Sequence, residues 1–130
     1  MLETFSTETL EAIFDILPVD LTFVDDTDTV RYYSRGDQRI FKRSPAVIGE
    51  QVKNCHPQKS LHKVEQVVSD LKSGRRDVAE FWIDLNGRKI YIRYFAVRDK
   101  AGKYLGTLEV TQDITDLQKI EGEKRLLDME

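Results

Sequence analysis

Cysteine is almost missing from this 130-residue sequence: Cys55 stands alone. No intramolecular disulfide can form, and a lone thiol fits a reducing compartment. Long apolar runs are missing as well. No stretch approaches the roughly 20 apolar residues that span a bilayer, and Met1 to Leu10 lacks the basic region and apolar run of a secretory leader. A cytoplasmic location without membrane contact is therefore expected. Basic charge is not in excess. Lys and Arg number 20 against 23 Asp and Glu, a net charge of −3, and no basic stripe offers a footprint for nucleic acid. Nor is there a catalytic constellation: no nucleophile beside a base, no Gly-rich phosphate loop, no distinctively spaced carboxylate pair. An enzyme is not expected. Soft metal ligands are few. Cys55 and His56 are adjacent, so their side chains diverge, and His62 is off a helical i+4 spacing from His56. Asp25, Asp26 and Asp28 lack the later Gly and Glu of a calcium loop and read as a solvated turn.

What is present fits one domain of ordinary soluble composition. Ser6 offers a helix cap, and Leu10, Ile13, Phe14 and Leu17 then fall on one helix face before Pro18 ends it. Leu21 to Val24 and Val30 to Ser34 read as two strands around the Asp25–Asp28 turn. From Arg35 to Pro57 the pattern breaks into short pieces punctuated by Gly36, Pro45, Gly49 and Pro57, with Ile40, Phe41, Val47, Ile48 and Val52 as core contacts. Ser60 is a candidate cap for a longer helix whose inner face carries Leu61, Val64, Val67, Val68 and Leu71, with Gly74 just past its end. Residues 1–18 are thus read as a flanking helix, 19–115 as the core and 116–130 as a helical tail. Leu117, Ile120 and Leu127 form its short heptad pattern.

The late strands carry a register. Asn86-Gly87 is a strong two-residue hairpin signal. It sets Asp84 against Lys89, Ile83 against Ile90, Trp82 against Tyr91, Phe81 against Ile92 and Glu80 against Arg93, which matches charges and apolar groups together. Phe81, Ile83, Ile90, Ile92 and Tyr94 then share a core face, while Trp82, Tyr91 and Phe95 lie among charges on the other. A three-residue loop at Lys100-Ala101-Gly102 pairs Ile92 with Val110, Tyr94 with Leu108 and Arg93 with Glu109, and brings Val110 and Gln112 to the core face. The outer face is too apolar to stay wet. The N-terminal helix or a second copy of the chain should cover it.

This order of elements resembles the PAS fold. Phe23-Val24-Asp25 through Val30-Arg31-Tyr32 is similar to its first hairpin, and Ile48-Gly49 with His56-Pro57 to a segment common in the family. Asp113-Ile114-Thr115 matches the motif at which a PAS sheet hands over to its signalling helix. Asn54-Cys55-His56-Pro57 with Arg93–Arg98 further resembles a subgroup that follows hemerythrin-like domains in bacterial proteins. The resemblance implies an α+β fold: a five-stranded antiparallel sheet of order 2-1-5-4-3, short helices over one face, an N-terminal flanking helix and a C-terminal signalling helix. It also implies a sensory module in a larger parent protein.

Under the resemblance, Tyr33, Phe41, His56, Ile83, Ile92, Tyr94, Val110 and Gln112 line a cavity beneath the arch of short helices. Asp113, Ile114 and Thr115 are the hinge to the output, and Phe14, Leu17, Trp82 and Tyr91 form a homodimer face. Arg39 and Arg43 could reach inward to an anionic ligand, although arginine is by default a surface residue. Three readings stay open: a small-molecule sensor, a ligand-free dimerisation or docking domain, and a haem sensor with His56 as axial ligand. A flavin–cysteine adduct is not supported, because His56-Pro57-Gln58 departs at once from the motif that begins Asn54-Cys55, and Cys55 reads as a small buried hydrophobe.

Overall fold

The computed structural model describes residues 1–54 and 57–128. The expectations for Cys55 and His56, including an axial role for His56, fall outside the described residues.

Helix α1 (Thr7–Ile16) starts where the sequence offers a cap: the Ser6 hydroxyl accepts from the Thr9 N–H at 3.1 Å. Strands β1 (Asp20–Asp25) and β2 (Val30–Tyr33) follow, then three 3-10 turns at Gly36–Gln38, Pro45–Val47 and Val52–Asn54. These turns make the arch. Helix α2 (Gln58–Ser73) begins two residues before Ser60 and ends at Gly74, whose left-handed backbone (φ 79°) closes it. Strands β3 (Val78–Leu85), β4 (Arg88–Arg98) and β5 (Tyr104–Asp113) complete one antiparallel sheet of order β2-β1-β5-β4-β3. The fold expected from the sequence is the fold observed. No helix among the described residues is long and apolar enough to cross a membrane.

The β3–β4 ladder pairs Asp84 with Lys89, Ile83 with Ile90, Trp82 with Tyr91, Phe81 with Ile92 and Glu80 with Arg93, the register read from Asn86-Gly87. Asn86 and Gly87 both have positive φ, 51° and 78°, as a two-residue hairpin of this hand requires. The β4–β5 ladder departs from expectation. Its tip forms as read, with the Asp99 N–H on the Lys103 carbonyl at 3.0 Å. Arg98 then pairs with Tyr104 but Val97 with Gly106, so Leu105 is an extra, bulged residue. Everything beyond it moves by one: Ile92 faces Thr111, Arg93 faces Val110 and Tyr94 faces Glu109. A one-residue shift exchanges the two faces of a strand. Thr107, Glu109 and Thr111 therefore lie with Tyr94 and Ile92, whereas Val110 and Gln112 lie with Arg93 and Tyr91 on the opposite face. The expectation that Val110 and Gln112 point toward the arch is corrected here. The cause is Gly106. A Cβ there would sit 2.3 Å from the Val24 carbonyl oxygen and 2.6 Å from the Phe23 ring, so only glycine lets β5 approach β1 this closely.

The tail is shorter in helix than expected. After Asp113 the chain forms two 3-10 turns, Leu117–Lys119 and Leu126–Asp128. Leu117, Ile120, Leu126 and Leu127 are exposed. A short amphipathic segment with no surface to bury against lacks the packing that sustains most helices.

Candidate ligand cavity and output latch

The arch is held at its start by two buried charges. Asp20, 1% exposed, accepts the Ile40 N–H on Oδ2 at 2.6 Å and has Arg35 Nε 3.8 Å from Oδ1. Arg39, 4% exposed, spends its fork on the backbone. Its Nη1 donates to the Leu21 and Ser34 carbonyls at 3.0 and 2.9 Å, its Nε to the Phe41 carbonyl at 3.0 Å and its Nη2 to Thr22 Oγ1 at 3.0 Å. The guanidinium also lies 5.5 Å from the centre of the Tyr33 ring. Burial lowers its pKa from the ordinary arginine value, and the Asp20 charge opposes that shift. The sequence marked Arg39 as a residue able to turn inward. What it turns toward is the chain's own carbonyls.

At its far end the arch is stitched to β2. Val30 exchanges bonds with Glu50 and Gly49 at 2.9 and 2.8 Å, and Thr29 bridges Gln51. Between these anchors lies a cavity of about 40 Å³. Val24 and Val30 of the sheet, Val47 and Val52 of the arch, and Val64 and Val68 of α2 give it an aliphatic wall. Its polar groups are Thr22, Thr107, Tyr94, Arg43 and Glu109. Burial, reinforced by Glu109, pushes the Tyr94 phenol well above its ordinary pKa, so it stays a neutral hydroxyl.

Of the residues expected to line the site, Tyr94 does. Tyr33 faces the same side at the end of β2 but meets Arg39 instead, and Phe41 contributes its carbonyl to the same arginine. Ile92 is buried beneath the helices, whereas Ile83 is on the same face but out on the edge strand, 36% exposed. Thr22, Thr107, Glu109 and the valines are the cavity residues that the sequence reading did not name as a site. A glycine inside a strand was the available signal, since it commonly marks a bulge.

A few residues beyond Glu109 along β5, the strand ends in a latch. Arg88 Nε donates to Asp113 Oδ2 at 2.8 Å and Nη2 to Asp116 Oδ2 at 3.4 Å. Asp113 Oδ1 accepts the Thr115 N–H at 3.0 Å, Thr115 Oγ1 accepts the Lys89 N–H at 2.7 Å, and the Ile114 N–H donates to the Lys89 carbonyl at 2.9 Å. Bonds from Arg88 first, then from Thr115, hold the Asp113 carboxyl at about 2. The β3–β4 hairpin thus grips the departing chain.

On the outer face α1 covers the β1–β2 side only. Phe14 meets Tyr32 edge to face at 5.7 Å and borders an apolar hollow of about 380 Å³ with Leu21, Phe23, Val97 and Leu108. Trp82 stays 61% exposed, with Tyr91, Lys89, Ile114 and Gln118 around a second hollow. Leu17, at the end of α1, is exposed.

The fold recurs in known proteins. A C-terminal domain from Streptococcus mutans shares 37% identity, covers 90% of this chain and 91% of its own, and superposes with a TM-score of 0.84. A PAS domain from Colwellia psychrerythraea is 16% identical over 84% of this chain and 97% of its own, with a TM-score of 0.59. The PAS domain of Bordetella pertussis BvgS is 18% identical over 86% and 90%, with a TM-score of 0.63. No curated protein matches the sequence. The family model described as PAS domain matches residues 10–115, from the first helix to the latch. With the strand order, the arch and the hand-over at Asp113 in place, the chain belongs to the PAS domain family, which is typical of sensory and signalling modules.

Proposed function

We propose that this domain is a non-enzymatic sensor that binds a small ligand beneath the arch and relays occupancy through the chain leaving β5. The observation that carries the reading is that one strand serves both ends. Thr107 and Glu109 line the cavity, and Asp113 on the same face of β5 carries the latch, roughly 13 Å further on at the usual strand rise. A ligand that presses on β5 acts on the latch through backbone paired with β1 as far as Thr111 and with β4 as far as Asp113. It need only bind one latch state better than the other. The domain works as a homodimer through Phe14, Leu17, Trp82 and Tyr91 and as one module of a larger bacterial protein, with a hemerythrin-like domain a candidate neighbour.

Amide spectra recorded with and without ligand test the relay. Shifts at Thr107 and Glu109 should be accompanied by shifts at Asp113 to Gln118. Ligand that moves the first set and leaves the second still removes the relay. One observation favours a ligand-free docking domain: a 40 Å³ cavity is small beside the roughly 300–1,000 Å³ of ordinary ligand sites. Native mass spectrometry separates the two readings, since a docking domain carries no adduct and shows none on titration. A haem sensor would require the arch to open widely and His56 to reach the iron. A Soret band after reconstitution would support it.

A further inference from the structure

We infer that the cavity beneath the arch recognises a small aliphatic zwitterion of the amino-acid class. This rests on the reading of that cavity as the ligand site and adds the chemistry of the occupant.

Two opposite charges face one apolar hollow without neutralising each other. Arg43 comes from the arch and Glu109 from β5, and among the described residues neither has an ion-pair partner. The hydrogen bond of Arg43 goes to the Lys42 carbonyl at 3.4 Å, and that of Glu109 is accepted from Thr111 at 3.2 Å. A guanidinium has five N–H donors and a carboxylate about four lone-pair sites, so most of their capacity is open. A neutral occupant would strip water from both groups and return nothing. A simple anion would satisfy Arg43 and meet Glu109 with like charge, and a simple cation would do the reverse. Only a ligand carrying both signs compensates both.

The remaining wall agrees. Thr22 Oγ1 already accepts from Arg39, which leaves its proton to donate to a carboxylate beside Arg43. The hydroxyl of Tyr94 is kept in its neutral form and can accept from an ammonium group or donate to a carboxylate. The apolar lining is six valines, which suit a short branched body, and Tyr94 is the one aromatic side chain among the described lining residues. The cavity of 40 Å³ has room for only a few waters at roughly 10–15 Å³ each, so the ligand is small and the arch must widen to admit it. The segment that can do so carries Arg43 and Val47. Between the Arg39 anchor and the Gly49 stitch, the backbone–backbone hydrogen bonds of residues 42–48 among the described residues stay local: Val47 to the Ser44 carbonyl, Ile48 to the Pro45 carbonyl and Glu50 to the Val47 carbonyl.

The test is a titration of the purified domain followed by amide shifts at Thr107 and Glu109. The probes are glycine, alanine, valine and leucine, set against isovalerate, isobutylamine and isobutanol. At least one amino acid should bind tenfold or more tighter than all three partial analogues. Arg43→Gln and Glu109→Gln should each cut that preference about tenfold. Both side chains are half-buried and, among the described residues, without an ion-pair partner, so both variants should fold, with unchanged circular dichroism as the control. Isovalerate binding as well as valine would overturn the zwitterion and leave the ligand cavity standing. A preference unaffected by either substitution would overturn the assignment of the charges. If no probe, isobutanol included, shifts those amides, the cavity reading and this inference fall together.

Discussion

Arg39→Met is the sharpest probe of how the arch is attached. Methionine retains the apolar stem and fills most of the space, so any loss comes from the guanidinium and its four bonds. The Leu21 carbonyl keeps a second partner, the Ser34 N–H at 2.9 Å. The Ser34 and Phe41 carbonyls lose the bonds described here, and each acceptor left without a partner costs about 1–2 kcal/mol when buried. Thr22 loses a charge-assisted bond in addition. Against this stands the release of a buried charge, whose desolvation is worth several kcal/mol before its bonds are counted. Removing one member of a buried charged network typically costs about 3–5 kcal/mol, and the released desolvation places this loss at the low end, about 3 kcal/mol. With a urea dependence of roughly 1.5 kcal/mol per molar for a chain this size, the unfolding midpoint should fall by about 2 M. Arg39→Lys should lose nearly as much, because one ammonium with three donors cannot reach four oxygens spread around a planar fork. A fall below about 0.5 M for the methionine variant would refute the argument that these bonds tie the arch down. Full stability in the lysine variant would show that charge, not fork geometry, is what matters there.

Further outcomes follow from the bulge, the latch and the cavity. Gly106→Ala drives a methyl into the Val24 carbonyl and the Phe23 ring, and should cost about 1–3 kcal/mol or more in chemical denaturation; a neutral result would mean that β5 does not press on β1. Asp113 is held at about 2 against an unfolded value of 3.8, so its contribution is complete above pH 4 and is lost as pH falls from about 4 to 2. A carboxyl-carbon NMR titration should find that midpoint, Arg88→Gln should move it back toward 4, and an unmoved midpoint would deny the latch. Tyr94→Ala should destabilise by roughly 3 kcal/mol, at the low end for a large aromatic because the ring is only partly buried; thermal melting reads it, and an unchanged midpoint would put the ring outside the cavity wall. Trp82→Ala should weaken self-association in sedimentation at unchanged stability, and an unaltered profile would remove Trp82 from the dimer face.

How much of this was legible depends on how locally each feature is determined. The β3–β4 register came whole from Asn86-Gly87 because a two-residue turn dictates the pairing that follows it, down to the Lys89–Asp84 ion pair at 2.5 Å. The helix limits at Ser6 and Gly74 were equally local. The β4–β5 register was not. Its tip obeys the loop residues, but the bulge at Leu105 arises because Gly106 is pressed on β1, a neighbour some 80 residues away in sequence that no hairpin rule consults. Arg39 was hard to place for a similar reason. Arginine defaults to solvent, and its three carbonyl partners converge only after two strands and a turn have assembled. Among the described residues the tail is helical only in two short turns, because periodicity reports what a segment can bury, not whether a surface is there to receive it.

The bulged Leu105 has a consequence beyond pairing. By standing outside the ladder it absorbs one residue, and this fixes which face each residue of β5 takes from Gly106 onward. Had the ladder run on evenly from the hairpin tip, Leu108, Val110 and Gln112 would face the hollow and Glu109 would look out at solvent. One residue of slack therefore decides whether the chamber is oily or ionic. Removing Leu105 itself leaves that parity untouched, whereas removing any single residue between Thr107 and Asp113 inverts the wall from that point on.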